Sequence, residues 1–489
     1  MPQVSSEAST RPSFLRTFLV YGTGEAIRRV AGLLLFPIYT RLLTPHDYGI
    51  LSLVGACGSL SLTLLGMGIP TSIFRFYLRE EGEEGRRQVL RACLNLVGLA
   101  LLPALILAGA SRPLAQQILG DADLWLFLVL ILIATYGDLL SKVPLAPIRA
   151  RQQSGLYVTL TTSSLLVTLL LSVTFVVVLR WGVFGILLAQ ALVAGVWSLI
   201  LLAHLLRQGI PRTRPGMMGQ VARYGLPLVL AALAQFLLNL SDRFILKLFV
   251  PLSELGLYAV GYRLAEGITI ATTVFSFTWV PFAFGEMGTP EGKQRMAKVG
   301  TAWFGLVLLA GTGIAVFSRE LIQVLTGPSF HDAAPVVPVV VVGLTLSAAY
   351  PISSMGLQLA DRTGYLPYLN AAAAALNLVL NFLWIPVHGI QGAAWATAAA
   401  YALLFGSSLL LSQRAFRLPI SHARWGAGIL MALVAGASGL WAARFGDLGS
   451  VFVKSCVLAL LFGGFVSIRL VTVKRLRVIF DQLRRGRSD

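Results

Sequence analysis

The chain has 489 residues, of which 56% are hydrophobic and only 12% are charged. Soluble globular domains carry about 25% charged residues, so the composition excludes a soluble protein and indicates a membrane protein. The formal net charge of +18 would also suit a nucleic-acid binder. Most of the basic residues, however, fall on one predicted side of the membrane, where they would meet anionic lipid headgroups. We therefore expect membrane lipids as partners, and no nucleic acid.

Fourteen apolar segments follow one another along the chain, joined by short connections. Each segment is long enough to cross a bilayer as a helix. They span residues 17–40, 48–74, 91–110, 123–146, 156–179, 183–206, 224–250, 255–284, 299–318, 333–358, 365–386, 390–413, 425–443 and 450–472. The predicted fold is therefore all-α and polytopic, with about 14 transmembrane helices.

Lysine and arginine set the predicted orientation. If the N-terminus lies inside, most of the 39 basic residues fall in the inner connections and the two termini. Cytoplasmic loops carry such an excess of Lys and Arg. The sequence thus predicts a multi-pass plasma-membrane protein with both termini in the cytoplasm.

An internal repeat recurs at an offset of 207 residues. Glu84–Arg86 aligns with Glu291–Lys293, and Gly182 aligns with Gly389. Each repeat holds six helices, an even number that preserves direction, so the repeats are parallel and face each other across a central cavity. We expect an N-terminal lobe (1–207), a C-terminal lobe (208–417), two further helices (418–473) and a basic cytoplasmic tail (474–489).

The seventh segment carries a polar stripe where lipid would disfavour it. Gln235, Asn239, Asp242, Arg243 and Lys247 share one helical face. A charge at membrane depth costs about 2.5–3.5 kcal/mol or more per residue. The stripe must therefore face a polar pathway or form internal salt bridges that only hold helices together.

Two other segments carry charges with a similar spacing. The eighth has Arg263 and Glu266 on one face, and the first has Glu25, Arg28 and Arg29. Arginine keeps its charge and binds phosphate in a bidentate manner, so Arg28 and Arg29 are candidate substrate ligands. Glu25 would either neutralise one of them or take part in transport.

The fourth segment holds Asp138 and Lys142, an i, i+4 pair in the order that stabilises helices. The pair would either stabilise its helix or take part in gating or substrate binding.

Before the second segment, Thr44–Asp47 has the pattern of a helix N-cap. The three cysteines are scattered and show neither disulfide nor metal spacing. We find no phosphate-binding loop of the GxxxxGK[ST] type and no large outer domain, so we expect no cofactor and no enzymatic activity.

Several stretches resemble the oligosaccharide (O-antigen type) flippases of the superfamily that also holds multidrug extruders and peptidoglycan-precursor flippases. They are Tyr21-Gly22, Tyr39–Arg41, Leu43–Gly49, Tyr224–Pro227, Leu240–Arg243 and Gly256–Tyr258. The resemblance spans nearly the whole chain. It implies a two-lobed prokaryotic transporter that moves a polyprenyl-diphosphate-linked oligosaccharide by alternating access. It also implies a cationic cavity for the diphosphate, and other polysaccharide-assembly proteins as partners.

The candidate residues then divide into two sets. The substrate-binding candidates are Arg28, Arg29, Arg243, Lys247, Arg263 and Asn239. The candidates for ion coupling or gating are Glu25, Asp138, Lys142, Asp242 and Glu266. Two rival functions stay open, an ion-coupled multidrug extruder of the same superfamily and a membrane polymerase or glycosyltransferase of polysaccharide assembly.

Overall fold

The computed structural model describes residue 32, residues 35–442 and residues 447–471. All regular elements in these ranges are helices, as predicted. We call residues 35–207 the first half; its helices are α1 (Phe36–Leu42), α2 (Pro45–Leu65), α3 (Ile69–Arg79), α4 (Glu83–Gly109), α5 (Ser111–Ile118), α6 (Trp125–Ala150), α7 (Ser154–Val173) and α8 (Gly182–Arg207). A 3-10 turn (Ala122–Leu124) precedes α6, and a π-helical turn (Thr174–Val178) extends α7.

Residues 217–415 form the second half, and two further helices follow it. The helices are α9 (Met217–Phe249), α10 (Leu252–Ala265), α11 (Gly267–Glu286), α12 (Pro290–Val316), α13 (Ser318–Leu325), α14 (Val337–Ser353), α15 (Met355–Leu359), α16 (Tyr365–Ala415), α17 (His422–Ala442) and α18 (Asp447–Ser467). A 3-10 segment (Pro328–Ala333) connects α13 to α14.

Within the described ranges, 11 helical stretches are long and apolar enough to cross a membrane. Helices suit hydrocarbon because they satisfy every backbone hydrogen bond internally. The protein is therefore a multi-pass membrane protein. The count of fourteen stays a prediction, because the first predicted segment, 17–40, lies mostly outside the residues that the structure describes.

Three predicted segments differ in detail from the structure. Segment 48–74 is two helices, because a turn at Gly66–Gly68 separates α2 from α3. Segment 255–284 divides at Glu266 into α10 and α11. Segment 333–358 divides at Ser354 into α14 and α15. Apolar composition alone does not reveal such breaks, since the residues on both sides of each break are largely apolar.

The helix boundaries recur at the predicted offset. Helices α2 and α10, α4 and α12, and α5 and α13 each begin 207 residues apart. Gly182 at the start of α8 has φ of +53°, and Gly389, 207 residues later, has φ of +55°. Gly389 interrupts the helical geometry of α16 between predicted segments 365–386 and 390–413. These matches support the internal repeat, which remains a prediction for the residues before Leu35.

The two halves meet where α2 crosses α10. A Cβ atom on Gly49 would lie 2.0 Å from the carbonyl oxygen of Leu252, and one on Gly256 would lie 1.8 Å from that of Pro45. Small residues let membrane helices approach this closely. Both contacts map onto each other under the 207-residue offset. We call this contact the Gly49–Gly256 crossing; it lies at the predicted outer side of the membrane.

The final helix pair is anchored to the second half by a buried ion pair. Helices α17 and α18 pack against α12. The Lys454 Nζ atom on α18 lies 2.6 Å from a carboxylate oxygen of Glu320 on α13, and the Lys454 side chain is only 3% exposed. This pair holds α18 against α13, at the predicted outer end of the second half.

The predicted N-cap before α2 is confirmed. The Thr44 side chain accepts from the Asp47 backbone N–H, and the Asp47 carboxylate accepts from the Thr44 backbone N–H. We expect Thr44→Ala to lower the free energy of unfolding by about 1 kcal/mol, whereas Thr44→Ser should retain the cap. Thermal unfolding in detergent would measure both; equal losses for the two variants would contradict a capping role.

Candidate functional site

A cavity of about 360 Å³ lies between the two halves. Its walls come from α1, α2, α7 and α8 of the first half and from α9 and α10 of the second. Among the described residues, the charged side chains that line it are Arg243, Arg263 and Glu266. Charged residues of the seventh and eighth predicted segments thus meet at this cavity.

Arg243 on α9 is held almost entirely by protein atoms. Its side chain is 8% exposed. The Nε–H group donates to the Ser52 hydroxyl at 3.1 Å, and Nη1 donates to the Asn239 carbonyl oxygen at 2.9 Å and to the Asp242 carboxylate at 3.0 Å. The guanidinium carbon lies 4.9 Å from the centre of the Tyr262 ring, a cation–π contact.

Asp242 is buried behind Arg243 and is fully engaged. Its side chain is 3% exposed. One carboxylate oxygen accepts from the Arg243 backbone N–H at 2.9 Å and from Arg243 Nη1, and the other accepts from the Tyr258 hydroxyl. A buried charge needs such partners. Asp242 therefore fixes the orientation of the arginine.

Asn239 lies one turn before Arg243 and connects α9 to α16. Its side-chain oxygen accepts from the Tyr401 hydroxyl, and its amide donates to the Gln235 carbonyl oxygen. Asn239 does not line the cavity. It supports the arginine through its backbone oxygen.

Arg263 and Glu266 form a second ion pair at the end of α10. The Arg263 Nη1 atom lies 3.0 Å from the Glu266 carboxylate, with side-chain exposures of 43% and 34%. A Cβ atom on Gly32 would lie 2.6 Å from Arg263 Nη2, so the guanidinium reaches the first helical segment. Both side chains are thus only partly buried, unlike those of the Arg243–Asp242 pair.

The other predicted candidates lie elsewhere. Lys247 reaches the loop after α5, where its Nζ would be 3.2 Å from a Cβ atom on Gly120. Asp138 and Lys142 pair with each other at 3.1 Å on α6 and do not line the cavity. The remaining three, Glu25, Arg28 and Arg29, lie outside the residues that the structure describes.

Several residues that line the cavity were not among the predicted site residues. Tyr39, Tyr48, Ser52, Gln190 and Tyr262 all line the cavity. Tyrosine and serine are ordinary residues of membrane helices, so composition gave no reason to single them out. The sequence did carry a signal for Tyr262, because it lies next to Arg263 and four residues before Glu266, a spacing that shares one helical face.

Acids and bases balance in the described part of the site. Arg243 pairs with Asp242, and Arg263 pairs with Glu266. Each ion pair lies within one helix or at its end, so neither pair by itself joins two helices, and Arg243, Arg263 and Glu266 also face the cavity. A net positive cavity would require Arg28 and Arg29 as well.

Comparison with known proteins places the chain in a family. The sequence profile of the family described as "Polysaccharide biosynthesis protein" matches residues 14–285, more than half of the chain. The chain belongs to this family. The resemblance to oligosaccharide flippases is thereby confirmed.

One curated relative of the chain is the "Probable low-salt glycan biosynthesis flippase Agl15" of Haloferax volcanii. It is 26% identical over 182 residues, which cover 36% of this chain and 38% of the relative. The match thus spans about two-fifths of that relative's length.

Solved structures show the fold. The lipid II flippase MurJ in an inward closed conformation superposes with a TM-score of 0.72 at 10% identity, over 92% of this chain and 99% of its own. An inward-facing multidrug resistance MATE family transporter of the MOP superfamily superposes with a TM-score of 0.66 at 16% identity, over 82% and 97%. The chain therefore has the fold that these two proteins share.

Proposed function

We propose that the protein translocates polyprenyl-diphosphate-linked oligosaccharides across the plasma membrane of a prokaryote by alternating access. The observation that carries this proposal is the cavity between the two halves, where Arg243 and Arg263 stand among tyrosine, serine and glutamine side chains. Arginine forms charge-assisted, often bidentate hydrogen bonds with phosphate, and hydroxyl, amide and aromatic groups can bind sugars. The membership in the polysaccharide biosynthesis family and the glycan flippase relative support it.

Such a cavity would lower the desolvation cost of moving sugars and phosphates through the membrane. Sugars and phosphates cannot enter hydrocarbon without a large desolvation cost, so polar protein groups must replace their water. The volume of about 360 Å³ is near the lower end of ligand pockets, about 300–1,000 Å³. At this volume the cavity would take the diphosphate and its first sugar only, and the halves would have to separate for the rest.

The proposal assigns roles to the predicted residues. Arg28, Arg29, Arg243 and Arg263 would contact the diphosphate, with Asn239 behind them and Lys247 at the outer entrance. Glu25, Asp138, Lys142, Asp242 and Glu266 are the candidates for ion coupling or gating. The lobes would be residues 1–207 and 208–417, followed by helices in 418–473 and a cytoplasmic tail at 474–489. Both termini would lie in the cytoplasm, and the protein would act as a transporter without enzymatic activity, beside other polysaccharide-assembly proteins.

A multidrug extruder is the second candidate function. Two acids balance two bases at the site, so its net charge would not repel a cationic substrate. The fold is also shared with a multidrug transporter. Proteoliposomes separate the two candidates. We expect the wild type to flip a polyprenyl-diphosphate oligosaccharide and to leave a cationic dye untransported; dye transport without flipping would favour the extruder.

Arg263 should contribute directly to flipping. We expect Arg263→Gln to lower the flipping rate about tenfold or more, since a charge-assisted hydrogen bond is worth about 1.5–3 kcal/mol. Arg214→Gln is the matched control: Arg214 is also a half-exposed, ion-paired arginine, held by Glu80 at 2.6 Å, but it does not line the cavity. Equal rates for the two variants in proteoliposomes would remove Arg263 from the substrate path.

A further inference from the structure

The hydrogen bonds of Arg243 leave one edge of its guanidinium group incompletely used. Both N–H groups of Nη1 have acceptors, the Asn239 carbonyl oxygen and the Asp242 carboxylate. Nε donates to Ser52, and Nη2 has no acceptor among the described residues. The end of the guanidinium that carries Nη1 is therefore occupied, whereas among the described residues the Nε–Nη2 edge is held by the Ser52 hydroxyl alone.

The Arg243–Ser52 hydrogen bond joins the two halves. Arg243 lies on α9 of the second half, and Ser52 lies on α2 of the first half. Ser52 is also three residues, about one helical turn, from Gly49. The bond therefore ties α9 to α2 close to the Gly49–Gly256 crossing.

The repeat does not duplicate this bond. The offset of 207 places Phe36 opposite Arg243 and Ala259 opposite Ser52, and both of these residues line the cavity with apolar side chains. Of the two equivalent positions, only the one with Arg243 and Ser52 can form an arginine–hydroxyl hydrogen bond.

A phosphate group that binds arginine in the bidentate manner needs two parallel N–H donors. On Arg243 the only such pair that Asp242 does not occupy is Nε with Nη2. We propose that a diphosphate group takes this edge, displaces the Ser52 hydroxyl, and thereby releases the Gly49–Gly256 crossing. Ser52 is then a positioning residue that couples cavity occupancy to closure. This inference rests on the proposed function.

The coupling is reciprocal. A ligand shifts a conformational equilibrium only by its difference in affinity for the two states. Diphosphate binds better when Ser52 has withdrawn, so it favours separation of the halves. Removal of the Ser52 hydroxyl should in turn strengthen diphosphate binding, because no protein acceptor then competes for Nε.

Crosslinking across the closed end measures this coupling. The Arg41 Nη2 atom donates to the Val324 carbonyl oxygen at 3.2 Å, so Arg41→Cys and Val324→Cys with a short thiol crosslinker report closure. Cys57, Cys93 and Cys456 are first replaced by alanine. Inorganic diphosphate and a polyprenyl-diphosphate oligosaccharide are the probes, and flipping is measured in parallel.

We expect either probe to lower the crosslinking yield of the full-length protein. Ser52→Ala should lower the yield without ligand and reduce the half-maximal concentration about tenfold, which corresponds to about 1.4 kcal/mol. Ser52→Thr should behave as the parent. Ser59→Ala is the matched control on α2, because its hydroxyl bonds only to its own helix at Gly55.

A second variant keeps the test independent of Ser52. Arg243→Lys retains the charge but lacks the paired donors, so diphosphate should change its crosslinking yield much less than it changes that of the parent. If the wild type flips its substrate while Ser52→Ala and Arg243→Lys respond to diphosphate as the parent does, the coupling is wrong and the proposed function stands. If the wild type neither flips the lipid nor responds to diphosphate, both fail.

Discussion

Gly256→Ala should force α2 and α10 apart and lower the crosslinking yield of the Arg41→Cys/Val324→Cys pair at least fivefold. The new Cβ atom would lie 1.8 Å from the Pro45 carbonyl oxygen and 3.0 Å from the Gly49 nitrogen. Both are backbone atoms, which cannot rotate away as a side chain can. Overpacking costs about 1–3 kcal/mol or more, so the free energy of unfolding should fall by a similar amount.

Gly55→Ala is the control for this effect. Gly55 also lies in α2, but a Cβ atom there would meet no atom within 4 Å. Gly55→Ala should therefore leave the crosslinking yield unchanged. Because alanine is a better helix former than glycine by about 0.8–1.0 kcal/mol, the free energy of unfolding should stay the same or rise slightly. A Gly256→Ala protein that crosslinks as well as Gly55→Ala would show that the crossing does not close this end.

Arg243→Met should be the most destabilising change in the cavity. It leaves the Asp242 carboxylate, 3% exposed, without its cationic partner. Loss of one member of a buried ion pair costs about 3–5 kcal/mol. Thermal unfolding in detergent should show a clear decrease in midpoint, and flipping should be lost.

The double variant Asp242→Asn/Arg243→Met tests whether the stability lost in Arg243→Met comes from the uncompensated charge of Asp242 or from the change in side-chain shape. It should recover much of the stability lost in Arg243→Met, because the uncompensated charge is gone, but it should not recover flipping. Arg263→Met should cost only about 0–1 kcal/mol, since its partner Glu266 is 34% exposed. Equal destabilisation by Arg243→Met and Arg263→Met would contradict a buried, locked pair.

The sequence predicted the helices well because long apolar runs leave few other structures possible in a membrane. It did not predict the breaks at Gly66–Gly68 and Glu266, which depend on tertiary contacts. Helix positions in the second half could be anticipated from the first, since α5 and α13 begin 207 residues apart.

The polar stripe on α9 was only partly informative about the site. From Gln235 to Lys247 it extends over twelve residues, or about 18 Å of helix. A shared face does not imply a shared depth, so Arg243 lines the cavity while Lys247 reaches Gly120. The Asp242–Arg243 pair was also hard to foresee, because adjacent residues on a helix do not normally face each other. The long arginine side chain makes this pair possible.

The flipping of matched lipids tests the central claim most directly. The reconstituted wild type is given the same oligosaccharide on a polyprenyl diphosphate and on a polyprenyl monophosphate, and the access of an outside probe to the sugar is followed over time. We predict flipping of the diphosphate lipid well above protein-free liposomes and above the monophosphate lipid. Folded protein that flips neither lipid, with or without an imposed ion gradient, would contradict the account.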